Sequence, residues 1–370
     1  MKFLDLNKQY REVKTEVDSA IRGVFERSDF ILGREVKLFE EEFARYCKTK
    51  YAVGVNSGTG ALFLALKSLD IQRGDEVIIP VFTFIATAFA VSYAGAKPVF
   101  VDVDENTYCL DVKAVEKVIT KRTKAIIPVH LYGHPAEMKK ILDIAKGYNL
   151  KVIEDAAQAH GAVYNYHGSL RKVGSMGDMG CFSFYPTKNL GACGDAGAIV
   201  TNNKKIYQKL MMLRDCGRVS KYEHAIIGYN ARLDTLQAAI LRAKLRNLDR
   251  WNRLRQEKAR LYTKLLSDVG GVILPSEEEN AKHVYHLYVI RVKNRKRLCR
   301  ILKKHHIPFL IHYPIPLHLQ KAYKNLGYKK GDFPVAETIA GQIMSLPMYP
   351  HLEEKEIKLI AHILKDVFKG

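Results

Sequence analysis

The chain is 370 residues long, which at ~150 residues per domain suggests about two folding units. With 47% hydrophobic and 26% charged residues it has the composition of an ordinary globular protein, which excludes collagen-like, coiled-coil and largely disordered architectures. Lys and Arg outnumber Asp and Glu by 59 − 39 = 20, an excess that draws anions at long range without choosing among nucleic acid, membrane surface and phosphorylated small molecules.

No apolar run approaches the ~18 residues of a membrane span, and the opening six residues have no signal-peptide core. A cytoplasmic protein with no membrane partner is the expectation. The basic run 293–300 reads as a solvated helix face, because no nucleic-acid-binding motif accompanies it; nucleic acid is not an expected partner. The six cysteines, at 47, 109, 181, 193, 216 and 299, form no Cys-x-x-Cys pair and show no zinc-ligand spacing. Unpaired thiols in a reduced compartment, and no metal, are expected.

In chain order, helices are predicted at 13–25 and 35–46. Short β-rich runs then alternate with helical stretches. Strands are expected at 51–55, 76–80, 98–103, 125–129, 151–154, 181–184 and 198–201, with helices at 60–69, 85–93, 110–119 and 136–148. This alternation predicts a mainly parallel sheet with helices on both faces. After 203 the pattern turns helical, and 233–266, free of Gly and Pro, reads as one or two long helices. Beyond Gly270-Gly271 a second unit is predicted: strands at 285–292 and near 309–312, helices at 296–305, 335–344 and 355–368. The division is placed as a large α/β domain over 1–250 and a small α+β domain over 251–370.

In open α/β sheets, ligands sit beyond the carboxyl ends of the strands. There, Asn56-Ser-Gly-Thr-Gly60 offers small residues, hydroxyls and helix-start N–H groups suited to a phosphate, though a plain capped helix explains it equally. The strand 151–154 runs into the acids Glu154 and Asp155, and a buried carboxylate needs a partner. A lone Lys188 follows the strand 181–184, with Gly191, Gly194 and Gly197 downstream where backbone must pass close to something bulky. A phosphate cradle, an acid and a lysine, in this order on an α/β chain, are the parts that hold pyridoxal phosphate: the lysine forms a Schiff base, the acid keeps the pyridine nitrogen protonated.

The blocks Gly74-Asp-Glu-Val-Ile-Ile-Pro-Val-Phe-Thr-Phe84, Pro128-Val-His-Leu-Tyr-Gly133, Glu154-Asp-Ala-Ala-Gln-Ala-His-Gly161, Ser183-Phe-Tyr-Pro-Thr-Lys-Asn-Leu-Gly191, Gly228-Tyr-Asn-Ala-Arg-Leu-Asp-Thr-Leu-Gln237 and Ser345-Leu-Pro-Met-Tyr-Pro350 run almost end to end. With them the chain resembles the sugar aminotransferases of the DegT/DnrJ/EryC1/StrS family, which have the aspartate aminotransferase-like fold of type I pyridoxal-phosphate enzymes. The resemblance implies Lys188 as the Schiff-base lysine, Asp155 on the pyridinium nitrogen, Gln158 near the ring hydroxyl and Phe84 stacked on the ring. It implies Gly58, Thr59 and Ser183 at the phosphate, and Asn230 reaching the phosphate of the other subunit of a homodimer. His160 would support Asp155 by a hydrogen bond, and a neighbouring cation would lower the Lys188 pKa so that it serves as a base.

The segment Ile311-His-Tyr-Pro-Ile-Pro316 resembles that of relatives aminating C3 of a nucleotide-linked 3-keto sugar. Tyr185, His312 and Tyr313 are accordingly assigned to the hexose, and Arg232 to the nucleotide diphosphate. The expected reaction converts a dTDP-linked 3-keto-6-deoxyhexose to its 3-amino-3,6-dideoxy product with L-glutamate as donor, in deoxyamino-sugar and glycan or lipopolysaccharide biosynthesis. A UDP-linked 3-keto 2-acetamido or uronic sugar, or a 4-keto sugar, is the alternative. A pyridoxamine-dependent dehydratase of the same scaffold would lack Lys188. An inactive regulator or a nucleic-acid binder would be expected to have lost part of the set Asp155, Gln158, Ser183, Lys188 and Asn230.

Overall fold

The computed structural model describes residues 1–368. Strands β1 (Tyr51–Val55), β2 (Glu76–Pro80), β3 (Lys97–Val101), β4 (Thr123–Ile126) and β5 (Lys151–Asp155) alternate with helices. A hairpin of β6 (Val163–Tyr166) and β7 (Ser169–Lys172) follows, then β8 (Met179–Ser183) and β9 (Gly197–Thr201). Seven of these form one sheet in the order β1-β9-β8-β5-β4-β2-β3. Only β9 runs against its neighbours β1 and β8; all other pairs are parallel.

Both faces are covered, so the strands carry apolar side chains without alternation, and β2 and β9 are buried at every position. The two-residue period decides which core each side chain enters. Val77 and Ile79 pack with Leu62 and Leu66 of the helix Gly58–Ser68. Ile78, between them, packs with Ile141 and Ala145 of the helix Met138–Gly147. The strands thus stay rigid, and their carboxyl-end loops are held in fixed relation.

The remaining strands are β10 (Val272–Ile273), β11 (Ala281–Lys282), β12 (Tyr288–Val292) and β13 (Ile343–Leu346). β10, β12 and β13 make a small antiparallel sheet, while β11 joins the β6–β7 hairpin. A core of Tyr262, Tyr288, Leu298, Met344 and Ile360 lies over the small sheet. Along the helix Leu248–Leu266, Leu248 belongs to the core around Phe39 and Phe184, whereas Ala259 onward belongs to the C-terminal core. The packing of this helix changes over between Leu248 and Ala259.

The structure corrects several expectations. The stretch near 309–312 is not a strand; it makes one bridge, Leu310 to Ser345. The helix expected to run to 344 ends at Gln342, and the chain continues as β13, because Met344 and Leu346 fill the C-terminal core. The helix expected over 110–119 shrinks to Val112–Val115 and a 3₁₀ turn. The β6–β7 hairpin and the short helix Leu6–Glu12 were not anticipated. The long helical stretch divides into Thr235–Leu245 and Leu248–Leu266.

Adjacent acids on one strand face opposite ways, and this separates Glu154 from Asp155. Glu154, fully buried, accepts from the backbone N–H groups of Gly174, Met176 and Gly177 at 2.7 Å each. His130 accepts from Ala136 N at Nδ1, so its Nε2–H donates to Glu154 at 3.0 Å. Glu154 therefore ties the loop before β8 to the end of β5. In Glu154→Gln an amide N–H₂ faces backbone donors, and a stability loss of about 3 kcal/mol is expected in chemical denaturation; a loss below about 0.5 kcal/mol, the level of a neutral surface change, would show that the loop holds itself.

Candidate active site

β5 and β8 are parallel neighbours, with Asp155 in register with Cys181. Asp155 ends β5, and Lys188 lies in the loop that leaves β8, so both stand at the carboxyl edge of the sheet. Burial raises the Asp155 pKa, opposed by Thr87 Oγ1 donating to Oδ2 at 2.8 Å, Ala157 N donating to Oδ1 at 3.2 Å and the Lys188 charge. Burial lowers Lys188 to about 8, and Asp155 acts against that shift. The expected neighbouring cation is therefore not the cause; desolvation of the ammonium is. Among the described residues no ion pair within 4.0 Å joins Lys188 to a carboxylate, so acid and amine sense each other across a gap.

Ser57 caps the helix Gly58–Ser68, its Oγ accepting from Gly60 N at 3.0 Å. The N–H groups of Gly58 and Thr59 in that first turn have no helical acceptor, and the macrodipole makes the turn attractive to an anion. Ser183, at the end of β8, lies against it: a Cβ on Gly58 would come within 2.5 Å of Ser183 Cβ. The downstream glycines make room for the protein itself. A Cβ on Gly197 would meet the Ser57 carbonyl at 2.4 Å, and one on Gly191 the Pro186 carbonyl at 2.3 Å.

Phe84 is 52% exposed, a large ring left open on one side, and lies 5.7 Å from the Tyr313 ring. Gln158 joins two loops: its Oε1 accepts from Tyr132 N at 2.8 Å and its Nε2 donates to Tyr313 Oη at 3.1 Å. The segment 312–313 is secured further by a Tyr132 hydroxyl bond to the His312 carbonyl and by His312 Nδ1 with Ser345 Oγ at 2.8 Å. Burial and the Lys188 charge hold the His312 pKa down to about 4, so this ring is neutral at physiological pH.

The structure thus brings Gly58, Thr59 and Ser183 to one turn, and Phe84, Asp155, Gln158, Lys188, His312 and Tyr313 around one cleft. Tyr185 is exposed, its N–H donating to Ser183 Oγ at 3.3 Å. Asn230 and Arg232 lie beside the Asn56–Gly58 turn of the same chain, where Arg232 bridges to Val55 and Ala231 O accepts from Asn56 N. Asn230 is exposed, and the Arg232 guanidinium is engaged by Asp215 at 3.1 Å. His160 does not bond Asp155; it is fully buried against Phe182 and Phe184, and neither ring nitrogen has a hydrogen-bond partner among the described residues. The support for Asp155 comes from Thr87 instead, which sequence reasoning missed. Nothing local marks a threonine that reaches a carboxylate 68 residues away. A cavity of about 960 Å³ opens at the opposite, amino edge of the sheet beside Asp75, Thr123 and Lys151 and contains none of these groups.

The donor set fits pyridoxal 5'-phosphate. A first-turn cradle that a Cβ at Gly58 would obstruct, an open aromatic face, a buried carboxylate and an amine with no ion-pair partner match a phosphate, a pyridine ring, its nitrogen and an aldehyde.

Residues 11–365 match the profile of the DegT/DnrJ/EryC1/StrS aminotransferase family. A Geobacillus stearothermophilus protein named a pleiotropic regulatory protein is 45% identical over 99% of this chain and 98% of its own. The dTDP-3-amino-3,4,6-trideoxy-alpha-D-glucose transaminase of Streptomyces venezuelae is 46% identical over 96% and 92%. A UDP-N-acetyl-3-dehydro-alpha-D-glucosamine 3-aminotransferase of Acidithiobacillus ferrooxidans is 44% identical over 99% and 98%. Among solved structures, S. venezuelae DesV in complex with a ketimine intermediate superposes with a TM-score of 0.97, at 44% identity over 100% of this chain and 98% of that one. Profile, relatives and fold agree with the cleft in which Asp155 faces Lys188: this chain belongs to the DegT/DnrJ/EryC1/StrS aminotransferase family and is a pyridoxal-phosphate-dependent aminotransferase of fold type I.

Proposed function

We propose that the chain moves the amino group of L-glutamate to carbon 3 of a nucleotide-linked 3-keto sugar, with a dTDP-linked 3-keto-6-deoxyhexose as its substrate. The observation that carries this reading is the His312–Tyr313 segment, pinned to the cleft wall through Gln158, Tyr132 and Ser345 within electrostatic reach of Lys188. It offers fixed hydroxyl and imidazole partners for a sugar beside the reactive amine. Relatives whose names carry 3-amino products or 3-aminotransferase activity support the carbon position. The Acidithiobacillus relative favours a second reading, a UDP-linked 2-acetamido-3-keto sugar.

Pyridoxal phosphate, when bound, supplies an aldehyde that condenses with amines and a ring that draws in electrons. Gly58, Thr59 and Ser183 would hold its phosphate, Phe84 its face, Gln158 its hydroxyl and Asp155 its ring nitrogen. Thr87 and Ala157 N orient the Asp155 carboxylate and favour its ionised form against the burial that raises its pKa. Lys188 Nζ, uncharged above about pH 8, accepts the proton from Cα of the donor amino acid. In the second half-reaction the same Nζ would deliver a proton to sugar C3 once the nitrogen is bonded there and the carbonyl oxygen has left as water. Tyr185, His312 and Tyr313 position the hexose, and Arg232, released from Asp215, meets the diphosphate.

The active unit on this reading is a homodimer in which Asn230 of one protomer reaches the phosphate site of its partner. Its support is the apolar exposure on the preceding loop, where Tyr222 is 82% and Ile227 89% exposed. The six free cysteines support a reduced, cytoplasmic setting.

Lys188→Ala is expected to abolish turnover while retaining cofactor binding through phosphate and ring nitrogen, and borohydride treatment of wild type should fix the cofactor on the Lys188 peptide. Thr87→Val, which removes the donor to Asp155, should weaken cofactor binding about tenfold in an absorbance titration. A panel of dTDP- and UDP-linked 3-keto and 4-keto sugars, offered to the pyridoxamine form, tests the substrate: turnover of 4-keto sugars alone would overturn the carbon-3 assignment and leave the aminotransferase intact.

A further inference from the structure

Immediately after Lys188 the chain buries a polar side chain almost completely: Asn189 is 1% exposed. Its Nδ2 donates to Asn252 Oδ1 at 2.9 Å and to the Val284 carbonyl at 3.0 Å. Its Oδ1 faces His286 Nδ1 at 3.2 Å. The amide orientation is decided by this set, because the flipped form would turn Oδ1 onto two acceptors. Asn252 is itself oriented, since its Nδ2 donates to the His160 carbonyl at 2.8 Å. One buried amide therefore links the lysine loop to the helix Leu248–Leu266 and to the segment leading into β12.

The hydrogen-bond logic extends to the ring. Asn189 Oδ1 can only accept, so His286 must donate from Nδ1, and its neutral ring keeps a lone pair at Nε2. That nitrogen has no protein partner among the described residues. His286 lies within electrostatic range of Lys188 and His312, and burial leaves it uncharged. The backbone around it is shared with the site. Leu287 N donates to Tyr132 O, and Val284 N donates to Gly133 O, behind the Gln158–Tyr132 bond.

We propose that Asn189 is a positioning residue for Lys188: its amide clamps the lysine loop to the Val284–His286 segment and dictates the Nδ1–H tautomer of His286, so that the amine works beside an uncharged ring with an open acceptor. The physical consequence is twofold. The clamp keeps water out of the loop, and the burial it maintains keeps His286 uncharged, so that no second cation stands in a cleft that already has to desolvate one. The inference takes from the proposed function only that Lys188 is the reactive amine.

Two measurements on the full chain, freed of any bound cofactor, test it. In ¹⁵N-histidine NMR of the wild type, with His286 assigned through His286→Gln, the Nδ1-protonated tautomer is expected near neutral pH; an Nε2-protonated ring overturns the proposal whatever any variant does. Trace acetylation with acetic anhydride across pH, read by mass spectrometry on the Lys188 peptide, should give a midpoint of about 8 in wild type. In Asn189→Ala the midpoint should rise by at least about half a pH unit, as water relieves the burial that depresses it. A folded Asn189→Ala with reduced stability and an unmoved Lys188 midpoint would show a purely structural amide and overturn the proposal. Should that variant not fold, Asn189→Ser, whose hydroxyl retains an acceptor, is read the same way against the same midpoint. Neither measurement uses the cofactor, so a failure of the Schiff-base assignment, seen as no borohydride fixation on Lys188, is distinguishable from a failure of this one.

Discussion

An ammonium and a carboxylate are buried in this cleft near each other without touching, and the arrangement of the site follows from the electrostatics of that choice. A direct ion pair would hold Lys188 protonated and Asp155 occupied. Separation leaves the lysine under the desolvation that lowers it to about 8 and leaves the acid to be satisfied by Thr87 and Ala157 N. The gap between them is of use only if it cannot collapse. The parallel pairing of β5 with β8 fixes one wall, and the helix Gly58–Ser68 behind the Asn56–Gly58 turn fixes another.

Rigidity on the far side is supplied by polar groups buried with their partners. Gln158 uses both ends of its amide to connect the Tyr132 turn with Tyr313, and Glu154 gathers three backbone N–H groups on the opposite face of the sheet. Such groups are costly when unpaired and directional when paired, so they specify a single loop arrangement where apolar packing alone would tolerate several. The glycines around Lys188 serve the same end by letting strand, turn and loop backbones approach where a Cβ would collide. The three histidines that sense the Lys188 charge, His160, His286 and His312, are all held neutral by burial, which adds no second positive charge beside the lysine.

The seven strands of the main sheet were legible because each is a short apolar run bounded by turn residues, and the alternation of most of them with helices predicts a mainly parallel sheet. The placement of Lys188, Asp155 and the Gly58 turn was legible because ligands of such sheets gather at strand carboxyl ends, and the family resemblance implies their roles. The strand Ile343–Leu346 was not, since Met344 and Leu346 suit a helix as well as a strand until the core of the C-terminal unit claims them.

Order along the chain, residue type and local period determined the elements, the edge of the sheet that carries chemistry and the acid and amine placed there. Tertiary structure alone decided that Glu154 holds a loop while Asp155 faces the cleft, that Thr87 and not His160 supports that acid, that burial and not a cation lowers Lys188, and that Arg232 is held by Asp215 in the free chain. The reason is physical: a pattern of residues states which side chains are polar and where strands end, but hydrogen-bond partners and desolvation depend on distances between segments far apart in sequence, which exist only once the sheet and its covering helices have packed.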